Sequence, residues 1–341
     1  MNALSPVEEC LDMIIVGAGL SGIGMAVHLR QDCPGKTFAI LDRREQLGGT
    51  WDLFRYPGIR SDSDLYTFSY DFKPWNSDKA IAGAAEIKAY IAETADEYDI
   101  RRLIHFGRKV LSCNWSSDDG LWTVTAERKE DGGRETYRAR WVFSATGYYD
   151  YERGYRPDFP EEESFSGQII HPQHWPEDLD YTDKRIAVIG SGATAVTLLP
   201  ALAEKAAHVV QVQRTPSYIM PIPEQDGLLK LARLLPSKAW THKVMRAKNI
   251  VTRHVFWKLC QNYPNVMRKL IRRINKGALP ADFPIDTHFN PPYDPWQQRL
   301  CAVPDADLYK SLASGKASIV TGHIARFVPV GIEMKSGEVV S

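Results

Sequence analysis

Two short glycine-rich stretches carry the residues best placed to do chemistry. Gly17, Gly19 and Gly22 have the spacing G-x-G-x-x-G, and Gly190, Ser191, Gly192, Ala193, Thr194 and Ala195 repeat it with alanine in the third place. This spacing lets backbone N–H groups at a helix N-terminus come close to a pyrophosphate, where the helix dipole favours negative charge. The pattern alone is weak evidence. Here each turn follows an apolar run (12–16 and 186–189), opens a stretch with helical spacing (20–31 and 196–205) and leads to a second apolar run (37–41 and 209–213). The first unit closes on Asp42, whose carboxylate can accept from ribose hydroxyls; that bond needs a free 2'-hydroxyl, as in FAD or NAD. The second closes on Gln213-Arg214-Thr215 without an acid. A guanidinium in that place suits a 2'-phosphate, which points to NADPH, and the plainer alternative is a surface charge.

A first fold for plain adenosine and a second for its phosphorylated form describe a flavoprotein that takes hydride from NADPH. Thioredoxin-reductase-like enzymes share that plan but need a cysteine pair. Cys10, Cys33, Cys113, Cys260 and Cys301 are scattered and form no C-x-x-C, which argues against a dithiol centre, a zinc knuckle and a disulfide framework and fits a reducing cytoplasm. His105, His174, His254 and His288 have no ligand spacing, so no metal site is expected.

The remaining elements must position these turns. The spacing predicts a helix over 86–98, strands over 103–106 and 109–115, and a hairpin of 121–127 with 135–143 across Asp131-Gly132-Gly133. From Arg185 the order restarts, and 325–334 with 338–340 flank Lys335-Ser336-Gly337 as a second hairpin. The chain thus reads as an internal duplication of class α/β: a Rossmann-like FAD domain over 1–150, a linker over 151–184 and a Rossmann-like NADPH domain over 185–341. The second hairpin stops where the first runs on, so the chain is expected to lack a C-terminal part.

Composition narrows the partners. The 341 residues are 44% hydrophobic and 25% charged, with Lys+Arg and Asp+Glu both 42; that balance leaves no basic footprint for nucleic acid. Glu8 and Glu9 stand where a signal peptide would carry bases. The apolar stretch 13–29 reads as strand, turn and helix rather than a membrane span. Residues 228–276 hold thirteen Lys or Arg and no Asp or Glu, leaving 29 bases against 42 acids elsewhere. Such a basic helical insertion reads as a solvated lid, as the rim of a phosphorylated cofactor's site, or as a face for an anionic membrane surface.

Further motifs select a family. Gly48-Gly49-Thr50-Trp51, Tyr56-Pro57-Gly58-Ile59-Arg60-Ser61-Asp62 and the stretch from Phe165 to Pro176, F-x-G-x-x-x-H-x-x-x-W-P, stand in order with the two turns. Together they resemble the Baeyer–Villiger monooxygenases of the flavin-containing monooxygenase superfamily. The resemblance implies FAD contacts at Ser21, Asp42, Thr50, Trp51, Asp52, Leu53, Asp62 and the strand at Val110. It implies NADPH contacts at Arg60, Ser61, Asp62, Gly190 to Ala195, Arg214 and Thr215. Arg299 matches the family's catalytic arginine and Asp62 the carboxylate that orients it; spacing alone makes Arg299 a surface charge. The implied reaction is oxygen insertion from O2 into ketones to give esters through a C4a-peroxyflavin, with oxidation of organosulfur compounds beside it. A plain N- or S-oxygenating flavin monooxygenase and a non-catalytic nucleotide-binding remnant are the alternatives. Phe165, Gly167, His171 and Trp175 are expected to form the hinge between the domains, with Trp175 and His171 governing how the NADPH domain swings over the flavin; the plainer alternative is an ordinary packed crossover in which His171 bonds to backbone.

Overall fold

The computed structural model of the chain describes residues 5–232, 234, 237–298 and 300–341. Contacts divide it into two compact units, one formed by the chain up to Phe54 and by Ala84–Gly154, the other by Arg55–Gly83 and Tyr155–Ser341.

In the first unit β1 (Ser5–Val16) runs beside β2 (Phe38–Leu41) in parallel, with Ile14 opposite Ala39 and Val16 opposite Leu41. The helix Leu20–Asp32 connects them. The short β3 (Ile104–His105) extends the sheet past β2, and β4 (Arg108–Ser116), β5 (Leu121–Arg128) and β6 (Arg134–Ser144) form an antiparallel meander. Because β6 also lies parallel to β1, one six-stranded sheet results, in the order β3-β2-β1-β6-β5-β4. The expected hairpin, β5 with β6, is therefore part of the nucleotide-binding sheet, between β1 and the edge strand β4. Ile14, Ile15, Ile23 and Ile40 are fully buried, each contributing about 1.5–3 kcal/mol by leaving water. The helix Ala84–Glu97 buries Ile87, Tyr90, Ile91, Thr94 and Ala95, the spacing of a single helical face.

The second unit repeats the opening. β7 (Arg185–Ile189), the helix Ala193–Ala203 and β8 (His208–Gln213) make a parallel βαβ unit. β9 (Tyr218–Ile222) pairs with β10 (Leu300–Pro304), and β11 (Ala317–Thr321) adds in parallel to β8. The expected strand over 325–334 is two strands, β12 (Ile324–Val328) and β13 (Gly331–Met334), turning at Pro329 and Val330 because proline cannot donate to a ladder. β14 (Val339–Val340) pairs with β13, Val340 is buried, and the Ser341 carbonyl accepts from Arg185 Nε at 2.8 Å. The insertion is helical, with Leu229–Ala232, Lys238–Asn262 and Pro264–Ala278.

Two expectations about organisation change. Residues 55–83, expected with the first domain, pack into the second unit: a Cβ on Gly58 would lie 2.8 Å from the Thr197 carbonyl oxygen, on the helix Ala193–Ala203. The segment expected as an interdomain linker over 151–184 also belongs to the second unit from Tyr155 onward.

Candidate functional site

The first glycine turn is pressed against its own helix. A Cβ on Gly22 would sit 1.9 Å from the Gly17 carbonyl oxygen, and one on Gly17, whose φ is +110°, 2.5 Å from that of Ala145. Gly19 caps the helix Leu20–Asp32 and contributes no side-chain hydrogen bond there. Ser21 is exposed in that turn. Asp42 is 7% exposed and braces the turn: its Oδ2 accepts from the Ala18 N–H at 2.6 Å and its Oδ1 from the Arg44 N–H at 2.8 Å. Burial pushes its carboxyl up, against the pull of those two N–H groups. Each oxygen keeps a second acceptor position, which is what a ribose hydroxyl needs.

Beside the turn, the short helix Thr50–Leu53 starts at Gly49, where a Cβ would lie 3.0 Å from Gly19 Cα. Thr50 and Trp51 are half-buried, Leu53 is buried, and Val110 on β4 packs against the core formed by Ile14, Leu41 and Val124. Asp52 has a task the motif did not reveal. It is 3% exposed and accepts from Arg44 Nε at 2.6 Å and from Lys88 Nζ at 2.6 Å. Burial raises its carboxyl, but the hydrogen bonds from Lys88 and Arg44 outweigh that and hold it below the ordinary value. Its carboxylate thus ties the short helix to the strand end and to the helix Ala84–Glu97. Sequence reasoning missed Arg44 and Lys88, which lie 8 and 36 residues from Asp52. It also missed Tyr151, whose ring lies under the Arg43 guanidinium at 5.6 Å. Glu152, bonded to Lys109 at 2.7 Å and Arg43 at 2.6 Å, is held at about 2 by those two bases.

The second turn is open. Gly190 has φ +137°, and around Gly192, which caps the helix Ala193–Ala203, no atom lies within 4 Å of a built Cβ. Ser191 Oγ donates to the Thr215 carbonyl at 3.0 Å and receives from Ser217 Oγ at 3.0 Å, fixing the turn to the end of β8. Ala195 is buried; Ala193, Thr194 and Thr215 are half-buried. Where Asp42 stands in the first unit, Gln213 donates to the His288 carbonyl and to Thr321 Oγ1, both at 2.9 Å. Arg214 follows it, exposed and with no hydrogen bond or ion pair to any described residue. Tyr56 is buried; burial raises its phenol, and a hydrogen bond from Thr194 and the nearby Arg60 charge pull it down. Arg60 pairs through Nη1 with Asp307, while its Nη2 is buried without a partner among the described residues. A buried, unsatisfied cationic donor near a helix N-terminus fits an anionic group such as a nucleotide phosphate. Ser61, 3% exposed, bonds through Oγ to the Ala82 N–H at 3.2 Å.

Asp62 is half-buried in the same segment. Arg299 lies outside the described residues. The fingerprint is packed rather than loose. Phe165 meets Phe327 edge-on at 5.9 Å, and a Cβ on Gly167 would come 2.6 Å from the Phe165 ring, which explains the glycine. His171 Nδ1 accepts from the Gln173 N–H at 3.2 Å and caps the single turn Pro172–His174; Trp175 meets Tyr181 edge-on at 6.2 Å. All of these contacts lie within the second unit. The basic insertion is not one solvated face either: Lys248 pairs with Asp226, Arg253 with Asp64, Arg268 with Asp294 and Arg272 with Asp286. Among the described residues no group of three His, Cys, Asp or Glu is placed to hold a metal ion, and no helix is long and apolar enough to cross a membrane.

Comparison with known proteins completes the picture. The family described as flavin-binding monooxygenase-like matches residues 60–256, and that of the NAD(P)-binding Rossmann-like domain matches residues 15–76. A protein described as a probable FAD-binding monooxygenase, AlmA of an Acinetobacter species, is 48% identical over 332 residues, 97% of this chain and 66% of AlmA. The FAD-containing monooxygenase EthA of Mycobacterium tuberculosis is 48% identical over 331 residues, 96% of this chain and 67% of EthA. This chain therefore spans about two thirds of the length of these relatives. The crystal structure of OTEMO in complex with FAD and NADP has the same fold, with a TM-score of 0.77 at 23% identity over 99% of this chain and 70% of that one. With both nucleotide turns in place and a family match that covers more than half of its residues, the chain belongs to the flavin-binding monooxygenase-like family.

Proposed function

We propose that the protein is an FAD- and NADPH-dependent monooxygenase of Baeyer–Villiger type, with FAD on the first unit and NADPH on the second. The observation that carries this is the difference between the two closings: a buried carboxylate, Asp42, at the first and an exposed, unpartnered guanidinium, Arg214, at the second. The balance is ketone, O2, NADPH and a proton giving ester, NADP+ and water. Bound flavin supplies the activation of oxygen. The chain's residues supply the rest. The N–H groups at Gly19 and Ser21 and at Gly192 and Ala193 hold pyrophosphates, Asp42 accepts from a ribose, and Arg214 with Thr215 receives the 2'-phosphate. Arg60 Nη2 offers a donor to the same nucleotide. Arg299 is the fixed cation for the oxyanion that develops in oxygen insertion, since it keeps its proton near neutrality, and Asp62 holds its planar head.

The test is direct. Purified protein should be yellow with bound flavin and should oxidise NADPH faster with a ketone present, yielding the ester; colourless protein favours a non-catalytic nucleotide-binding remnant. Arg299→Ala should reduce its flavin with NADPH at nearly the parental rate and form no ester. Oxidation of a thioether without any ester from a panel of ketones would favour N- or S-oxygenation instead.

The reading also includes a reducing cytoplasm and contact with an anionic membrane surface through 228–276. On the helix Pro264–Ala278, Val266, Leu270 and Ile274 are 62%, 45% and 36% exposed at spacing i, i+4, i+8, beside exposed Lys269 and Arg273. An apolar stripe flanked by bases is the pattern of an interfacial helix. Co-sedimentation with phosphatidylserine vesicles, lost at high salt, is expected; equal behaviour with neutral vesicles would overturn it.

A further inference from the structure

Beside the buried Met245 and Cys260, the helix Lys238–Asn262 turns a polar stripe toward its own unit. His242, Arg246, Asn249 and Arg253 recur at i, i+4, i+7 and i+11, one helical face. All four meet the segment that follows Arg60. Arg246 Nη1 donates to the carbonyls of Tyr66, Thr67 and Ser69 at 3.0, 3.1 and 3.1 Å, collecting the carbonyls at the end of the single turn Leu65–Phe68. Asp64, 5% exposed, caps the start of that turn through the Thr67 N–H at 2.9 Å. It also accepts from Asn249 Nδ2 at 2.9 Å and pairs with Arg253 Nη2 at 3.1 Å. His242 packs against Tyr66 at 6.3 Å with both ring nitrogens buried and without a partner among the described residues. A face this polar is a poor source of stability, because each buried group must recover its lost hydration. What it supplies is a defined geometry, since hydrogen bonds to a buried carboxylate and to three carbonyls accept only one placement.

The position of Asp62 follows from these anchors. Two residues before it Arg60 is held by Asp307, and two residues after it Asp64 is held by Asn249 and Arg253. We propose that Arg246, Asn249 and Arg253 are positioning residues: the helical insertion clamps the 60–69 segment so that Asp62 is held in a single placement. The inference rests on the monooxygenase reading above and gives the insertion a task in the chemistry.

Arg246→Met keeps the stem and removes all three hydrogen bonds. Hydrogen exchange on the full chain without added cofactor should show amides 65–70 exchanging at least about tenfold faster, with β8 unchanged. With flavin bound, ester formed per NADPH consumed should fall about 10- to 100-fold in favour of hydrogen peroxide, while the KM for NADPH stays within about twofold. Arg246→Lys, which keeps one cationic donor group, should restore part of the coupling. Parental exchange at 65–70, or parental coupling in Arg246→Met, overturns the proposal. If Arg246→Met does not fold, Asn249→Ala read by the same two measurements decides it. Parental protein that binds no flavin would sink the functional reading and the catalytic half of this inference, whereas unchanged exchange in a flavin-loaded variant would sink the clamp alone.

Discussion

The glycine turn after β1 and the glycine turn after β7 open the same kind of βαβ unit, yet the space around them differs. In the first, Gly22 lies so close to the Gly17 carbonyl that no side chain fits, Gly49 crowds Gly19, and Asp42 is bound by two backbone N–H groups. In the second, nothing crowds Gly192, Gln213 bonds inward to His288 and Thr321, and Arg214 stands exposed. The sheets differ in the same sense. The first meander delivers β6 beside β1, whereas β12, β13 and β14 form a sheet of their own. A turn pressed against its own helix suits a group that stays bound, and an open one suits a nucleotide that must leave after each turnover. One sequence pattern thus serves two different physical tasks.

The comparison breaks or sharpens under substitution, and the largest effect belongs to Gly22→Ala. Its Cβ would meet backbone, which cannot yield cheaply, so a loss of at least about 3 kcal/mol and of bound flavin is expected, read by thermal unfolding and absorbance. Gly192→Ala should leave the Tm within about 2 °C. Equal losses in the two variants would erase the distinction.

Next is Asp52→Asn, which leaves Arg44 and Lys88 without their buried anion and should cost about 3 kcal/mol at neutral pH. The folded Asp52 carboxyl is held below its ordinary value, so its contribution is present above about pH 4 and is lost as pH falls through the depressed value. Acid titrations of stability should therefore converge for the parent and the variant as pH falls through the depressed carboxyl value. Curves that stay parallel would show that Asp52 does not carry the difference.

The smallest effect on the fold belongs to Arg214→Gln. Stability should not change, because the guanidinium has no partner among the described residues, but NADPH affinity should fall about 10- to 100-fold with NADH affinity unaltered. An equal loss for both nucleotides would place Arg214 away from the 2'-phosphate.

Much of the fold was legible because it is locally encoded. The apolar runs, the glycines between them and the helical spacing over 84–97 fix strand, turn and helix within a few tens of residues. At the fingerprint the local packing of Gly167 under the Phe165 ring and the His171 bond to the Gln173 N–H are contacts of near neighbours in sequence. The site was less legible. Asp52 reads as a cofactor contact in its motif, yet its partner Lys88 is 36 residues away, and no spacing rule joins them. The membership of residues 55–83 in the second unit was equally hidden, since it depends on Gly58 meeting Thr197 across 139 positions of sequence.

Sequence by itself determined that this protein has two dinucleotide-type turns, one closed by an acid and one by a base, because turn geometry and side-chain charge are properties of a few adjacent residues. Tertiary structure alone decided which of those side chains are occupied. Asp42 and Asp52 are bound by groups brought in from other elements, Arg60 is paired with Asp307 and keeps one buried donor unsatisfied, and Arg214 has been left open. The physical reason is that a hydrogen bond or ion pair depends on distance in space, which packing sets and chain order does not.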